Sequence, residues 1–215
     1  MLHFAPSERL LAYAIAGLAG FVDASGFLAA DRFFVSFMSG NTTRLGVELA
    51  GGGRAALVAG LLLAGFVLGV AAGAVMAEKV ASRRKTAVLA ASGALLLLAA
   101  AGQALGSTAA FLGFAVIAMG AINNVFRRDG QVALGVTYMT GALVRMGEGL
   151  AGWLTGSVHG RKGALPSFIL WSSLAAGACG GALLFSSLPL LAPWAAGLWA
   201  LALVVCAWRM EQGPA

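Results

Sequence analysis

Long apolar runs separated by short charged clusters dominate the chain. Six of them, residues 10–30, 55–77, 86–105, 109–126, 165–186 and 190–208, reach or approach the roughly 20 residues a helix needs to cross the hydrocarbon of a bilayer. Two further stretches, residues 33–51 and 132–155, have similar length but are broken by Gly, Ser, Thr, Asn, Arg and Glu. The pattern predicts an all-α polytopic membrane protein in which the two polar stretches need a separate explanation.

Those two stretches are copies of one another. Met38-Ser39-Gly40, Arg44, Gly46, Leu49 and Ala50 match Met139-Thr140-Gly141, Arg145, Gly147, Leu150 and Ala151 at one constant offset. Upstream, Gly20-Phe21-Val22-Asp23 aligns with Gly120-Ala121-Ile122-Asn123, and downstream the Gly/Ala-rich residues 69–74 align with 177–182. An internal duplication follows, with a first repeat over residues 1–106 and a second over 107–215. Each repeat reads as a span, a polar interrupted segment and two more spans, all within one integral membrane unit.

Charge then orients the repeats. Lys79, Arg83, Arg84 and Lys85 assign their loop to the cytoplasm by the positive-inside rule. The uncharged junction at 106–108 falls outside, Arg127 and Arg128 inside, Arg161 and Lys162 inside, the uncharged turn 187–193 outside, and Arg209 inside. That order closes only if residues 132–155 leave and re-enter on one face. By the duplication, residues 33–51, flanked by Arg32 and Arg54, do the same from the opposite face. The result is six transmembrane helices, two re-entrant half-helix segments, inverted halves and both termini cytoplasmic in a bacterial inner membrane. The rival arrangement is eight spans in a parallel repeat, which puts Arg161 and Lys162 outside.

Composition narrows the function classes. With 60% hydrophobic residues, 10% charged residues and a mean hydropathy of +0.90, a water-soluble fold could not hide the apolar surface. The net charge of +6 sits in short clusters without interleaved aromatics, so nucleic acid is not an expected partner. The 31 glycines show no Gly-X-Y period and suit closely packed helices. Two Gly-rich patches, 69–73 and 177–181, could serve a homodimer as readily as the bundle interior. Cys179 and Cys206 lie in apolar runs, while His3 and His159 are terminal or loop residues, so neither a metal site nor a cofactor is expected. No nucleophile elbow, phosphate loop or paired catalytic carboxylates occur, which makes an enzyme the weakest class. Arg9 runs directly into an apolar stretch with no cleavage signal, so the first helix reads as retained.

Candidate chemistry concentrates in the duplicated polar segments. Irregular backbone at membrane depth is tolerated where protein or a water-filled cavity satisfies it, so such segments mark solute pathways. Each segment is expected to descend as a loop, turn at Ser39-Gly40-Asn41 or Thr140-Gly141, and return as a half-helix. Ser39 and Thr140 are good N-cap residues, and two helix starts facing each other near the midplane would present free N–H groups and partial positive charge. Tight helix crossing is the plainer use of Met-Ser/Thr-Gly. Arg44 and Arg145 would bind an anionic or polar solute through forked donors, or else be neutralised by Glu48 and Glu148 on the same helix faces. Asp23, mid-span and without a basic residue one turn away, is the candidate for proton coupling; its structural alternative is an interhelical hydrogen bond or a salt bridge to Arg44. Asn41, Asn123 and Asn124 line a pathway or hold helices together.

The strings Gly20-Phe21-Val22-Asp23-Ala24 and Phe34-Val35-Ser36-Phe37-Met38-Ser39-Gly40-Asn41 resemble the opening signature of the YoaK-like family, bacterial inner-membrane proteins of unknown function. Asn123-Asn124 and Tyr138-Met139-Thr140-Gly141 are similar to that family's later motif, with Asn123 where that motif carries Gln. The resemblance implies a multi-span membrane protein and no particular substrate. The residues themselves point to a permease or channel for a small polar or anionic solute, with its site between inverted repeats. The alternative is a non-transporting assembly protein whose buried polar residues only fix helix packing.

Overall fold

A computed structural model of the chain describes residues 4–53, 55–128, 130–156 and 158–212. His3 and Arg54 lie outside the described residues, as do the side chains of Arg128, His159, Arg161 and Lys162. Among the described residues eight α-helices follow in order: α1 (Pro6–Ala29), α2 (Met38–Gly51), α3 (Ala55–Lys79), α4 (Arg84–Ala104), α5 (Thr108–Ile122), α6 (Met139–Thr155), α7 (Val158–Ser187) and α8 (Leu191–Gln212). A two-residue antiparallel ribbon, β1 (Arg127–Arg128) with β2 (Gln131–Val132), joins α5 to α6. The apolar periodicity gave no sign of this ribbon; Gly130 supplies its left-handed turn at φ +75°.

Among the described residues α1, α3, α4, α7 and α8 are long and apolar enough to cross a membrane, and the chain is a polytopic helical membrane protein. Helix α5 corrects the expected span at 109–126, because it stops at Ile122 after 15 residues. Asn124 explains the stop: its amide donates to the carbonyl of Ala121 and, across to α3, to that of Val70. Helix α7 corrects the boundary in the other direction, since it begins at Val158 and carries Pro166 in its interior. His159, expected in a loop, falls in that first turn; hydropathy marks the end of the apolar run, whereas the helix itself continues into polar sequence.

Glycines fix which helices meet. A Cβ at Gly177 would strike the carbonyl of Gly17, one at Gly181 that of Phe21, and one at Gly20 that of Leu174. From Gly17–Gly177 to Phe21–Gly181 the contacts advance four residues along both helices, so α1 and α7 lie parallel. Gly69 lies against Ile117, Gly73 against Ala121 and Gly120 against Phe66 in the same way, so α3 and α5 are also parallel. Small residues let backbones approach and gain packing where lipid supplies no hydrophobic drive. Both Gly-rich patches thus serve the bundle interior through these residues, while Gly180 faces open space. Helix α4 runs antiparallel to α8, with Gly93 on Ala200 and Gly197 on Leu97, and antiparallel to α5, where the Ser92 hydroxyl donates to the Ala118 carbonyl at 3.3 Å.

Charged groups gather several helix ends on one face. Glu211, near the end of α8, accepts the backbone N–H groups of Lys85 and Thr86 at 2.7 and 3.2 Å and the Thr86 hydroxyl at 2.6 Å. An anion there satisfies the otherwise partnerless first-turn donors of α4 and complements its dipole. Lys85 pairs with Glu8 in the first turn of α1 at 2.8 Å, and Arg127 pairs with Glu78 at the end of α3 at 3.2 Å. Phe4 meets Phe126 edge-on. The starts of α1 and α4, the ends of α3 and α8, and the ribbon therefore share one end of the bundle.

Candidate functional site

The polar helices α2 and α6 start two residues before the expected positions. Phe37 and Tyr138 occupy the N-cap sites with nearly equal angles (φ −89°, ψ 76° and φ −88°, ψ 65°), and neither has a side-chain cap hydrogen bond. Ser39 and Thr140, expected as caps, are instead the second helical residues, and the turn expected at Ser39-Gly40-Asn41 is made at Ser36-Phe37. Aromatic rings take the capping positions, so first-turn donors stay uncapped. Among the described residues the backbone N–H groups of Ser39, Thr140 and Gly141 have no acceptor.

These two first turns border one cavity of about 340 Å³. Ser39 lines it from α2, Thr140 and Gly141 from α6, Ser36 and Thr137 from the preceding loops, and Phe66 from α3. Phe37, Tyr138, Met38 and Met139 complete the wall. The lining carries hydroxyls, free N–H donors, rings and thioethers but no charged side chain, and the partial positive ends of two helices point toward it. The arrangement can hold a small solute that accepts hydrogen bonds, and it disfavours cations.

The other candidates sit elsewhere. Asn41 is fully buried, and its amide closes a two-way bond with the backbone of Phe34, at 3.0 Å from the Phe34 N–H and 2.7 Å to the Phe34 carbonyl. Asp23 accepts the N–H groups of Val35 and Ser36, both at 2.8 Å, and makes no pair with Arg44. In the second copy Asn123 does related work, since its Oδ1 accepts the Thr137 hydroxyl at 3.2 Å while its Nδ2 donates to Met119. Asp23, inside α1, and Asn123, at the end of α5, therefore each grip the loop that leads into the following polar helix.

Arg44 and Arg145 do not line the cavity. The Arg44 guanidinium lies 3.8 Å from the centre of the Phe33 ring and donates to the Asp31 carbonyl. Arg145 donates from Nε to the buried Ser167 at 3.1 Å, with Nη1 folded back toward Gly141. Neither arginine forms an ion pair with Glu48 or Glu148 among the described residues.

Gly40 and Gly141 have different duties despite the duplication. A Cβ at Gly40 would lie 2.6 Å from the Phe37 ring and 2.9 Å from that of Phe34, inside a cluster where Phe34 meets Phe27 at 5.0 Å and Phe37 at 5.2 Å. At Gly141 the nearest atom is the Arg145 Nη1 at 3.6 Å. Thermal unfolding in detergent should accordingly show Gly40→Ala losing about 1–3 kcal/mol by overpacking, and Gly141→Ala unchanged or slightly stabilised. Equal losses in the two variants would contradict this division.

Hydropathy missed Ser36, Thr137, Phe37, Tyr138 and Phe66. A signal existed for four of them, because Val35-Ser36-Phe37 and Val136-Thr137-Tyr138 extend the duplicated block upstream at the same offset. Phe66 carried none, being one aromatic residue within a uniformly apolar helix.

Comparison with known proteins gives two matches. The family model described as "Protein of unknown function (DUF1275)" matches residues 11–207. The UPF0700 transmembrane protein RA0705 of Rhizobium meliloti (strain 1021) is 39% identical over 202 residues, covering 94% of this chain and 87% of that protein. No solved structure matches.

Proposed function

Since this chain belongs to the DUF1275 family and is a polytopic helical membrane protein, we propose that it is a permease or channel for a small polar or anionic solute. The observation that carries this reading is the single cavity shared by the first turns of α2 and α6. At a rise of about 1.5 Å per residue the 14 residues of α2 and 17 of α6 extend roughly 21 and 26 Å, short of a bilayer core of about 30 Å. Length alone does not set them apart from α5, which has 15 residues and counts as a span here; what distinguishes α2 and α6 is that their uncapped starts meet at a cavity, which suits re-entrant segments better than full crossings.

The inverted arrangement has support of the same kind. Helix α1 begins, and α3 ends, at the face that holds Lys85 and Arg127, and the parallel pairings then make α7 begin and α5 end there too. In this reading α6 returns to that face, α2 returns to the opposite one, and the residues 1–106 and 107–215 are inverted repeats in a bacterial inner membrane, with both ends cytoplasmic. The charged loops make the shared face cytoplasmic. The YoaK-like resemblance belongs to this proposal, as does the exclusion of enzymatic chemistry.

Proteoliposomes test it directly. Stopped-flow light scattering with glycerol, urea, formate and nitrate should show at least one solute crossing faster than in protein-free liposomes. Rates equal to the protein-free control for all four would favour the second reading, a non-transporting assembly protein. That reading draws on one specific observation: Asp23, Asn41, Asn123 and Asn124 all hold backbone or loop groups.

Asp23 remains the proposed proton-coupling residue, through its hold on the loop before α2. Protonation would weaken its acceptance of the Val35 and Ser36 N–H groups and loosen the α2 start. Asp23→Asn, which keeps one acceptor oxygen, should fold and flatten the pH dependence of uptake. Asp23→Leu should lose about 3 kcal/mol in unfolding experiments, because hydrogen bonds to charged groups contribute roughly 1.5–3 kcal/mol each and the buried donors would be left without partners. An unchanged pH profile in Asp23→Asn would remove the coupling role.

A further inference from the structure

An apolar cleft lies away from the central cavity, and one of its ends is formed by residues that one of the duplicated arginines touches. Between the end of α1, the first half of α3 and the first half of α5 runs a groove of about 670 Å³. Leu61 and Gly65 line it from α3, Gly113 and Val116 from α5, and Phe33 with Asp31 closes one end. The Arg44 guanidinium lies on the Phe33 ring and donates to the Asp31 carbonyl. A long apolar groove with a cation at its mouth has the polarity of an amphiphile. Exposed Arg32 follows Asp31 in the chain with φ +64°, so two arginines, one adjacent in sequence and one bonded to its carbonyl, accompany Asp31 at this end of the groove.

We propose that this groove binds an anionic phospholipid of the surrounding bilayer, with an acyl chain between α3 and α5 and its phosphate on the Arg44 guanidinium. Three observations select this occupant. The chain is a membrane protein, so hydrocarbon is the medium that meets an apolar groove on its surface. The groove's only charged lining residue is Asp31 among the described residues, so a polar solute would find little to bond inside. The guanidinium is anchored through Nη1 and the ring face, which leaves further donors for a phosphate; arginine's planar fork suits that partner. The assignment also explains why an arginine expected at the solute cavity stands outside it. It holds whether or not the central cavity conducts anything.

Native mass spectrometry of the purified full-length chain tests the proposal, using phosphatidylglycerol and phosphatidylcholine with matched acyl chains. Wild type should retain phosphatidylglycerol preferentially. Arg44→Gln should cut that preference by about fivefold, the equivalent of the roughly 1 kcal/mol that one basic residue contributes near an anionic lipid surface. Gly113→Leu should abolish retention of both lipids by filling the groove, since a side chain there meets no atom within 4 Å. Ala64→Phe, at a second lining position, repeats the test if Gly113→Leu folds poorly. Unchanged lipid preference in Arg44→Gln, or unchanged retention in a folded groove-filling variant, would overturn the proposal.

Discussion

Gly177→Ala is expected to destabilise the protein by about 3 kcal/mol or more. Its Cβ would enter the carbonyl of Gly17 on α1, and backbone cannot move aside as a side-chain end does. Overpacking a close helix pair costs about 1–3 kcal/mol when side chains can shift, and this collision offers no such relief, so a loss at or beyond the upper end is expected. The consequence reaches the site, because α1 carries Asp23 and Asp23 holds the loop leading to the α2 start. Gly180→Ala is the matched control: on the same helix, it faces open space and should leave stability unchanged or raise it by a few tenths of a kcal/mol, up to about 1, through helix propensity. Thermal unfolding of the two variants side by side checks the parallel α1–α7 contact, and equal behaviour would refute it.

The second large effect is functional. Gly141→Trp should return solute flux to the rate of protein-free liposomes while changing stability by less than about 1 kcal/mol, the range expected of a substitution that collides with nothing packed. Gly141 lines the central cavity and has free space around it, so an indole would occupy the volume a solute needs. The matching substitution at Gly40 would not separate flux from folding, because Phe34 and Phe37 already fill that space. Flux in Gly141→Trp proteoliposomes equal to wild type would show that the cavity is not the route.

Hydropathy made the helical membrane fold legible, and the matched residues of 33–51 and 132–155 marked the two short polar helices. Helices α2 and α6 end at Gly51 and Thr155, the expected ends of those two stretches. The roles of single polar residues were less legible, for a physical reason. A carboxylate or amide within an apolar run has the same sequence signature whether it meets a solute or a backbone N–H, and irregular loops at membrane depth create many such N–H groups to satisfy. Asn41 and Asp23 satisfy the loop before α2, and Asn123 grips the loop before α6. Spacing placed Arg44 within reach of Glu48 and near the α2 start, but it could not disclose the Phe33 ring that draws the guanidinium outward. Capping hydroxyls point to Ser39 and Thr140, whereas the helices begin earlier, with Phe37 and Tyr138 at the N-cap positions.

The account depends on α2 and α6 entering the bilayer from opposite faces, and sidedness labelling of single cysteines tests that most directly. In a background with Cys179 and Cys206 replaced, a membrane-impermeant thiol reagent would be applied to intact cells and to inverted vesicles carrying Asp31→Cys, Gly51→Cys, Gln131→Cys or Thr155→Cys, all exposed positions. The account predicts that positions 31 and 51 label from outside and that 131 and 155 label from the cytoplasmic side. A split within either pair, or all four positions on one side, would contradict it.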